Sequence, residues 1–167
     1  MAVRLRPRSV SLPAGTVSSR AAADDGISLP RESQWVVFVC EARRFGFPLE
    51  QVSEILTPLP FTRLPGTGPE VCGLVGVHGR VVAVVDLGIV LGLRAAATYG
   101  DYRLLLLDVG TRQVGAVVEE VAAITLARVE RRGPVDEEGP VLGIAHIDEG
   151  EFTALEPARL LRQLIPT

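Results

Sequence analysis

Residues 44–55, RFGFPLEQVSEI, recur in altered form 69 positions later as residues 113–124, QVGAVVEEVAAI. The identical positions are Gly46/Gly115, Glu50/Glu119, Val52/Val121 and Ile55/Ile124. The next portion of the chain matches at a shift of 70, where Gly73 falls on Gly143. Two successive matches at nearly one shift are typical of an internal repeat, so the sequence predicts two related units.

The two predicted units, about 33–100 and 101–167, are mostly β. Short runs of Val, Leu and Ile bounded by Gly, Pro or Asp predict strands at 35–40, 73–77, 81–85, 102–109, 114–118 and 141–147. His78-Gly79 lies between two of these runs and predicts a tight hairpin turn. Short helical pieces are expected at 49–56, 87–91 and 157–164. Units of about 70 residues are marginal alone, so we expect them to pack together as small closed barrels.

The composition restricts the class of protein. An apolar share of 47% and a charged share of 22% exclude wholesale disorder. The net charge of −3 argues against nucleic acid as the main partner, because phosphate contacts need clustered positive charge. No run approaches the roughly 18 apolar residues that span a bilayer, so we expect a cytoplasmic protein without membrane insertion. Residues 1–32 are rich in Pro, Ser and Ala and are expected to be a disordered or poorly ordered tail.

Catalytic and metal-binding patterns are missing from the sequence. The chain has no lysine, which excludes a phosphate-binding loop with its Lys and a Schiff base. His146 and Asp148 alone are too few for a strong metal site. Asp86 and Glu156 repeat like the acids of an aspartic protease, but neither is followed by the Ser or Thr that such a dyad needs. We therefore predict no enzyme activity, no cofactor and no metal, and interpret Asp86 as a helix cap.

A binding surface is the remaining candidate for function. The acidic, apolar-flanked segments 49–56 and 118–124 occupy equivalent places in the two units. Such residues suit a groove that accepts a partner helix with anchors at i, i+3, i+4 and i+7. They suit equally well a core shared by the two units, and the residues alone leave both interpretations open.

Several segments together resemble the CheW-type chemotaxis coupling proteins. They are FGFPLEQVSEI at 45–55, TRLP at 62–65, GLVGVHGRVVAVVDL at 73–87, VGAVVEEV at 114–121 and the stretch 141–161. The likeness covers about 33–165. It implies two tandem SH3-like five-stranded β-barrels with a few short helices, and a non-enzymatic adaptor.

The resemblance also implies partners and contact positions. Such adaptors couple the cytoplasmic tips of methyl-accepting chemoreceptors to the regulatory domain of a CheA-type histidine kinase. The positions that match kinase contacts are Val52, Glu54, Gly73 and His78. The positions that match the receptor groove are Leu49, Val121 and Ile124. The chain would then be cytoplasmic and recruited to membrane-associated receptor clusters.

One position departs from the family pattern. The family commonly has an arginine in the hairpin where this chain has His78, and an imidazole titrates near neutral pH whereas a guanidinium does not. Two alternatives to a coupling adaptor follow. One is a divergent scaffold or decoy that binds receptors without activating a kinase, and the other is a ligand-binding β-barrel sensor.

Overall fold

A computed structural model describes residues 2–4, 32–131, 133–134 and 136–164. Its strands are β1 Val3–Arg4, β2 Ser33–Cys40, β3 Arg43–Pro48, β4 Val52–Leu56, β5 Val71–Val77, β6 Arg80–Asp86, β7 Arg103–Val109, β8 Arg112–Val118, β9 Glu120–Ala127, β10 Val129–Glu130, β11 Val141–Ile147 and β12 Gly150–Leu155. Its helical elements are α1 Leu87–Val90, α2 Pro157–Leu160 and the 3-10 turns Leu49–Gln51 and Ala96–Tyr99.

The described strands form two sheets. Sheet 1 has the order β1-β4-β7-β8-β6-β5, and sheet 2 has the order β10-β11-β12-β3-β2-β9. Neighbouring strands are antiparallel except for β6 with β8 and β12 with β3, which are parallel. Each sheet holds five main strands and a two-residue strand at one edge. The predicted fold class, mostly β in two five-stranded units with a few short helices, is confirmed.

The sheets do not follow the division of the chain near residue 100. Sheet 1 combines β4, β5 and β6 with β7 and β8, whereas sheet 2 combines β2 and β3 with β9, β11 and β12. The first two main strands of each repeat therefore join the last three of the other repeat. This exchange interlocks the two repeats, so that neither sheet can form from one half of the sequence.

Three apolar clusters fill the structure, one inside each sheet and one between the sheets. Successive residues of β2 point alternately into two of them. Trp35 and Val37 enter the cluster inside sheet 2, while Val36 and Phe38 enter the cluster between the sheets. The four consecutive leucines of β7 divide in the same way between the cluster inside sheet 1 and the shared one. Burial on both faces explains why these strands lack polar alternation.

The helix expected at 49–56 is wrong for most of its length. Only Leu49–Gln51 is helical, as a 3-10 turn, and β4 follows at once. In β4, Val52 lies opposite Leu107 and Glu54 opposite Leu106, so Ser53 is an extra residue that forms a β-bulge. The bulge brings apolar residues three positions apart onto one face of a strand, which produces a helix-like spacing in the sequence.

The structure confirms the hairpin turn and the helix cap that the sequence predicts. His78 and Gly79 have φ angles of 50° and 77° and connect β5 to β6 as a tight hairpin. The Asp86 carboxylate accepts hydrogen bonds from the backbone N–H groups of Ile89, Ala96 and Ala97, which confirms it as the cap of α1. This acid therefore stabilises the connection between β6 and β7.

The segment predicted as a tail lies mostly outside the described residues. Residues 2–4 are described, and Val3 and Arg4 pair with Ile55 and Glu54 at the edge of β4. Residues 5–31 lie outside the described part of the chain. Among the described residues, no helix is long and apolar enough to cross a membrane.

Candidate functional site

A side-chain contact between Glu54 and His78 joins two distant parts of sheet 1. Glu54 lies on β4 with its side chain 4% exposed, and His78 lies at the β5–β6 turn with its side chain 50% exposed. The His78 Nε2 atom is 2.8 Å from Oε2 and 3.0 Å from Oε1 of Glu54. Because β4 and β5 are far apart in the strand order, this contact shows that the sheet curves into a closed, barrel-like form. The structure therefore brings together two of the four positions implied for kinase binding.

The other two implied kinase positions lie inside the protein. Val52 is completely buried in the cluster between the sheets. Gly73 is buried at a second bulge and has a φ angle of 144°. Its Cα lies against the backbone of Thr62, so that there is no room for a side chain. Neither residue offers a side chain to a partner, so a substitution at either position acts on the fold before it acts on a surface.

An exposed apolar surface covers the outer face of the β5–β6 hairpin beside His78. Leu74 lies opposite Ala83 and Gly76 lies opposite Val81. Val81 is 74% exposed, and the position of a Cβ atom at Gly76 has no heavy atom within 4 Å. We call these four residues the hairpin patch. Val81 is not among the site residues predicted from the sequence, because an apolar residue within the apolar run 81–85 does not reveal its exposure.

The equivalent hairpin of sheet 2 carries a polar surface instead. Ile144 lies opposite Thr153 and His146 lies opposite Glu151 in the β11–β12 ladder. The His146 Nδ1 and Glu151 Oε2 atoms are 3.7 Å apart. The internal repeat thus has the same backbone twice with different surfaces, and the apolar one belongs to sheet 1.

The residues implied for the receptor groove lie at the margin of the shared core. Val121 lies opposite Phe38 and Ile124 opposite Val36, and both of these β2 residues face the cluster between the sheets. A bulge at Ala122 puts Val121 and Ile124 on one face although they are three residues apart. The helix-like spacing at 118–124 is therefore a bulged strand, as in β4.

Exposure differs along this margin. Leu49 and Val121 are half-buried against the shared cluster, whereas Ile124 is 45% exposed. Leu126, which the sequence analysis did not single out, lies on the same face of β9 and is 58% exposed. Both interpretations of this segment hold in part, because Leu49 and Val121 contribute to the core while Ile124 and Leu126 remain available to a partner.

The remaining reactive groups are held in unreactive states. Burial raises the pKa of the Cys40 thiol to about 12 and that of the Cys72 thiol to about 11. A thiol with so high a pKa is a poor nucleophile at neutral pH, because the thiolate is the reactive form. Among the described residues, no group of three His, Cys, Asp or Glu side chains could hold a metal ion.

Comparison with protein families identifies the domain. Residues 34–164 match the family model described as CheW-like domain. The chain belongs to the CheW-like domain family. The chemotaxis protein CheW of Bacillus subtilis (strain 168) is 28% identical over 85 residues, 51% of this chain and 54% of that protein. The chemotaxis protein CheW of Helicobacter pylori is 24% identical over 104 residues, 62% of this chain and 63% of that protein.

A solved structure supports the fold. The CheW-like chain resembles the scaffolding protein TtCheW from Thermoanaerobacter tengcongensis with a TM-score of 0.69. The alignment covers 78% of this chain and 93% of that one, at 21% sequence identity. At this identity the likeness concerns the fold. The aligned regions of the two sequence relatives span between about half and two thirds of their lengths.

Proposed function

We propose that this CheW-like chain is a chemosensory adaptor that acts by protein binding and not by catalysis. Its partners are the regulatory domain of a CheA-type histidine kinase and the cytoplasmic tip of a methyl-accepting chemoreceptor. It would work in the cytoplasm, at membrane-associated receptor clusters, without a cofactor. The names of the two sequence relatives and the family of the domain support this function.

The hairpin patch is the observation that carries the kinase contact. Val81 has the highest fractional exposure among the large apolar side chains of the described residues, and exposed apolar surface that is contiguous can mark a protein-binding site. Val81 lies opposite Gly76, which has no side chain and open space around it. A side chain of a partner can therefore pack beside Val81. The contact between Glu54 and His78 connects the turn of this hairpin to β4. The kinase contact therefore pairs one barrel with another through Val81 and its neighbours, and Val52 and Gly73 support it from inside.

We call the surface formed by Leu49, Val121, Ile124 and Leu126 the margin of the shared core. Its exposed apolar residues suit a chemoreceptor. The tip of a chemoreceptor is a helical hairpin, and a helix binds a groove through apolar side chains spaced three or four residues apart. Ile124 and Leu126 offer exposed apolar contacts, and the half-buried Leu49 and Val121 provide the wall behind them. This surface is separate from the hairpin patch, as an adaptor with two partners requires.

The histidine at position 78, where the family commonly has an arginine, favours the scaffold or decoy alternative. If kinase coupling needs a permanent cation in the hairpin, an imidazole weakens it, and the chain would bind receptors as a scaffold or decoy without activating a kinase. A ligand-binding sensor is the other alternative, and it predicts stabilisation by a small molecule without protein partners.

A titration with two partners tests the proposal. The purified chain is titrated with the regulatory domain of a CheA-type kinase and, separately, with a receptor-tip hairpin from the same source. Saturable binding of both supports the coupling adaptor. Binding of the receptor hairpin alone supports the scaffold or decoy. Failure of both contradicts a chemosensory function and leaves the sensor, which a thermal-shift screen of small molecules then tests.

A further inference from the structure

Glu54 is a carboxylate held inside the barrel of sheet 1. It is one of the two buried charged residues among the described part of the chain, and the other, Asp86, accepts hydrogen bonds from three backbone N–H groups. Both oxygens of Glu54 instead contact a single imidazole nitrogen, the Nε2 atom of His78. A buried carboxylate is costly without a donor or a cation, so this contact is important to the hairpin.

The backbone of His78 has the conformation of a tight two-residue hairpin turn. Its φ angle is 50°, in the left-handed region that non-glycine residues seldom adopt. The hairpin turn accommodates this φ angle, and the side chain of His78 contacts the Glu54 carboxylate. The following residue, Gly79, has φ 77° and open space around it, so the backbone there does not resist a change of turn. The contact with Glu54 therefore adds stability to a turn whose backbone conformation is already favourable.

Three other charged residues lie on the elements next to this contact. Arg80 on β6 lines the same cleft and forms no ion pair with Glu54 among the described residues. On β1, Arg4 lies opposite Glu54 in the ladder. Asp108 reaches the cleft through a hydrogen bond from Gln113 Nε2, 3.1 Å long. Arginines and aspartates do not normally titrate between about pH 5 and 8, whereas histidine does.

We propose that the His78–Glu54 pair makes docking through the hairpin patch dependent on pH. With a proton on both ring nitrogens, His78 donates a charge-assisted hydrogen bond to Glu54 and the turn keeps the patch in place. When the proton is lost, the attraction to the carboxylate weakens and the hairpin becomes less ordered. Docking then weakens as the pH rises. This inference rests on the proposed kinase contact and adds the regulation of that contact.

The test is the affinity of the kinase regulatory domain for four forms of the chain between about pH 6 and about pH 8. The affinity of the wild type should fall by roughly two- to fivefold as the pH rises, the range expected when an ion pair with one half-exposed partner is lost. His78→Arg, which keeps a positive charge, should remove this dependence. His78→Ala should bind weakly throughout. His146→Arg, at the ion pair of the other hairpin, should behave as the wild type.

A second readout does not depend on the kinase. Amide hydrogen exchange at Arg80, whose backbone pairs with that of Val77 across the turn, reports the opening of the turn, and after correction for intrinsic rates its protection should fall with pH in the wild type and stay constant in His78→Arg. Equal pH profiles in the wild type and His78→Arg, in binding or in protection, would overturn the inference while leaving the kinase contact intact. Absence of binding in every form at every pH would instead overturn the proposed kinase contact.

Discussion

A Cβ atom added at Gly73 would lie 2.2 Å from the carbonyl oxygen of Thr62. The two residues meet where Thr62 and Leu74 exchange backbone hydrogen bonds of 2.8 Å across the mouth of sheet 1. The repeat builds the same approach a second time, because a Cβ atom at Gly143 would lie 2.4 Å from the carbonyl oxygen of Glu130. Both glycines follow a bulge and let a second segment cross the end of a strand.

Replacement of Gly73 should therefore damage the fold. Gly73→Ala is expected to lower the free energy of unfolding by about 3 kcal/mol or more, because the carbonyl of Thr62 is backbone and cannot move aside. Gly79→Ala is the matched control, since it also has positive φ but open space, and it should cost about 1 kcal/mol. Chemical denaturation measures both. Equal losses in the two variants would contradict the steric explanation.

The hairpin patch predicts a loss of binding without a loss of stability. Val81→Glu places a charge on a side chain that is 74% exposed, so the free energy of unfolding should change by less than about 1 kcal/mol. Affinity for the kinase regulatory domain should fall at least roughly tenfold, because the charge would be desolvated on docking. Isothermal titration calorimetry measures this effect, with Glu151→Lys on the other hairpin as control. If Glu151→Lys weakened binding as much as Val81→Glu, the patch would be assigned to the wrong sheet.

A substitution at the margin of the shared core should reduce receptor binding but not kinase binding. Ile124→Arg should weaken binding of the receptor hairpin by roughly tenfold or more and leave kinase binding unchanged. Val141→Arg is a suitable control, because Val141 is exposed to a similar degree on another strand of sheet 2. Fluorescence anisotropy with a labelled receptor hairpin measures the difference. Unchanged receptor binding in Ile124→Arg would remove Ile124 from the groove.

The raised pKa values of the two cysteine thiols predict that the protein loses stability at alkaline pH. In the unfolded chain a thiol titrates near its ordinary pKa of 9.0, whereas burial raises the pKa of Cys40 to about 12. The native state thus holds a proton that the unfolded state releases, so the contribution of this thiol to stability is complete below about pH 9 and is lost as the pH rises toward 12. Cys72, with a pKa of about 11, acts in the same direction.

The slope of stability against pH measures this effect. In Cys40→Ala the decline above about pH 9 should be shallower than in the wild type, whatever the cost of the cavity that the substitution leaves. Identical slopes in the two proteins would mean that the Cys40 thiol is not protected from titration.

The internal repeat made the paired architecture predictable, but not the way in which the strands combine. Identical positions such as Val52 and Val121 reveal that two units have one fold, and they occupy equivalent bulged strands in the structure. A repeat carries no information about which strands pair, because exchange and self-contained folding bury the same residues. The division near residue 100 therefore describes the repeat and not the sheets.

The helical spacing of the two acidic segments had a physical cause that the sequence does not display. Ser53 and Ala122 are the extra residues of two bulges, and each shifts the strand by one position. Apolar residues then recur every three positions, as they do on a helix. Only the pairing with a neighbouring strand distinguishes the two structures.

The contact between Glu54 and His78 was beyond sequence reasoning for a different reason. The two residues are 24 positions apart on strands that are not neighbours in the sheet, and closure of the barrel brings them together. Their resemblance to family contact positions indicated importance, but not that one is buried and the other exposed. Val81 was missed because an apolar residue in an apolar run gives no sign of its exposure.

Simultaneous binding of both partners tests the adaptor most directly. The chain is saturated with the receptor hairpin and then titrated with the kinase regulatory domain, while sedimentation velocity follows the mass of the complex. Because the hairpin patch and the margin of the shared core are separate surfaces, we expect a ternary complex, with loss of the kinase in Val81→Glu and of the receptor hairpin in Ile124→Arg. Mutual exclusion of the two partners would contradict a bridging adaptor with two surfaces.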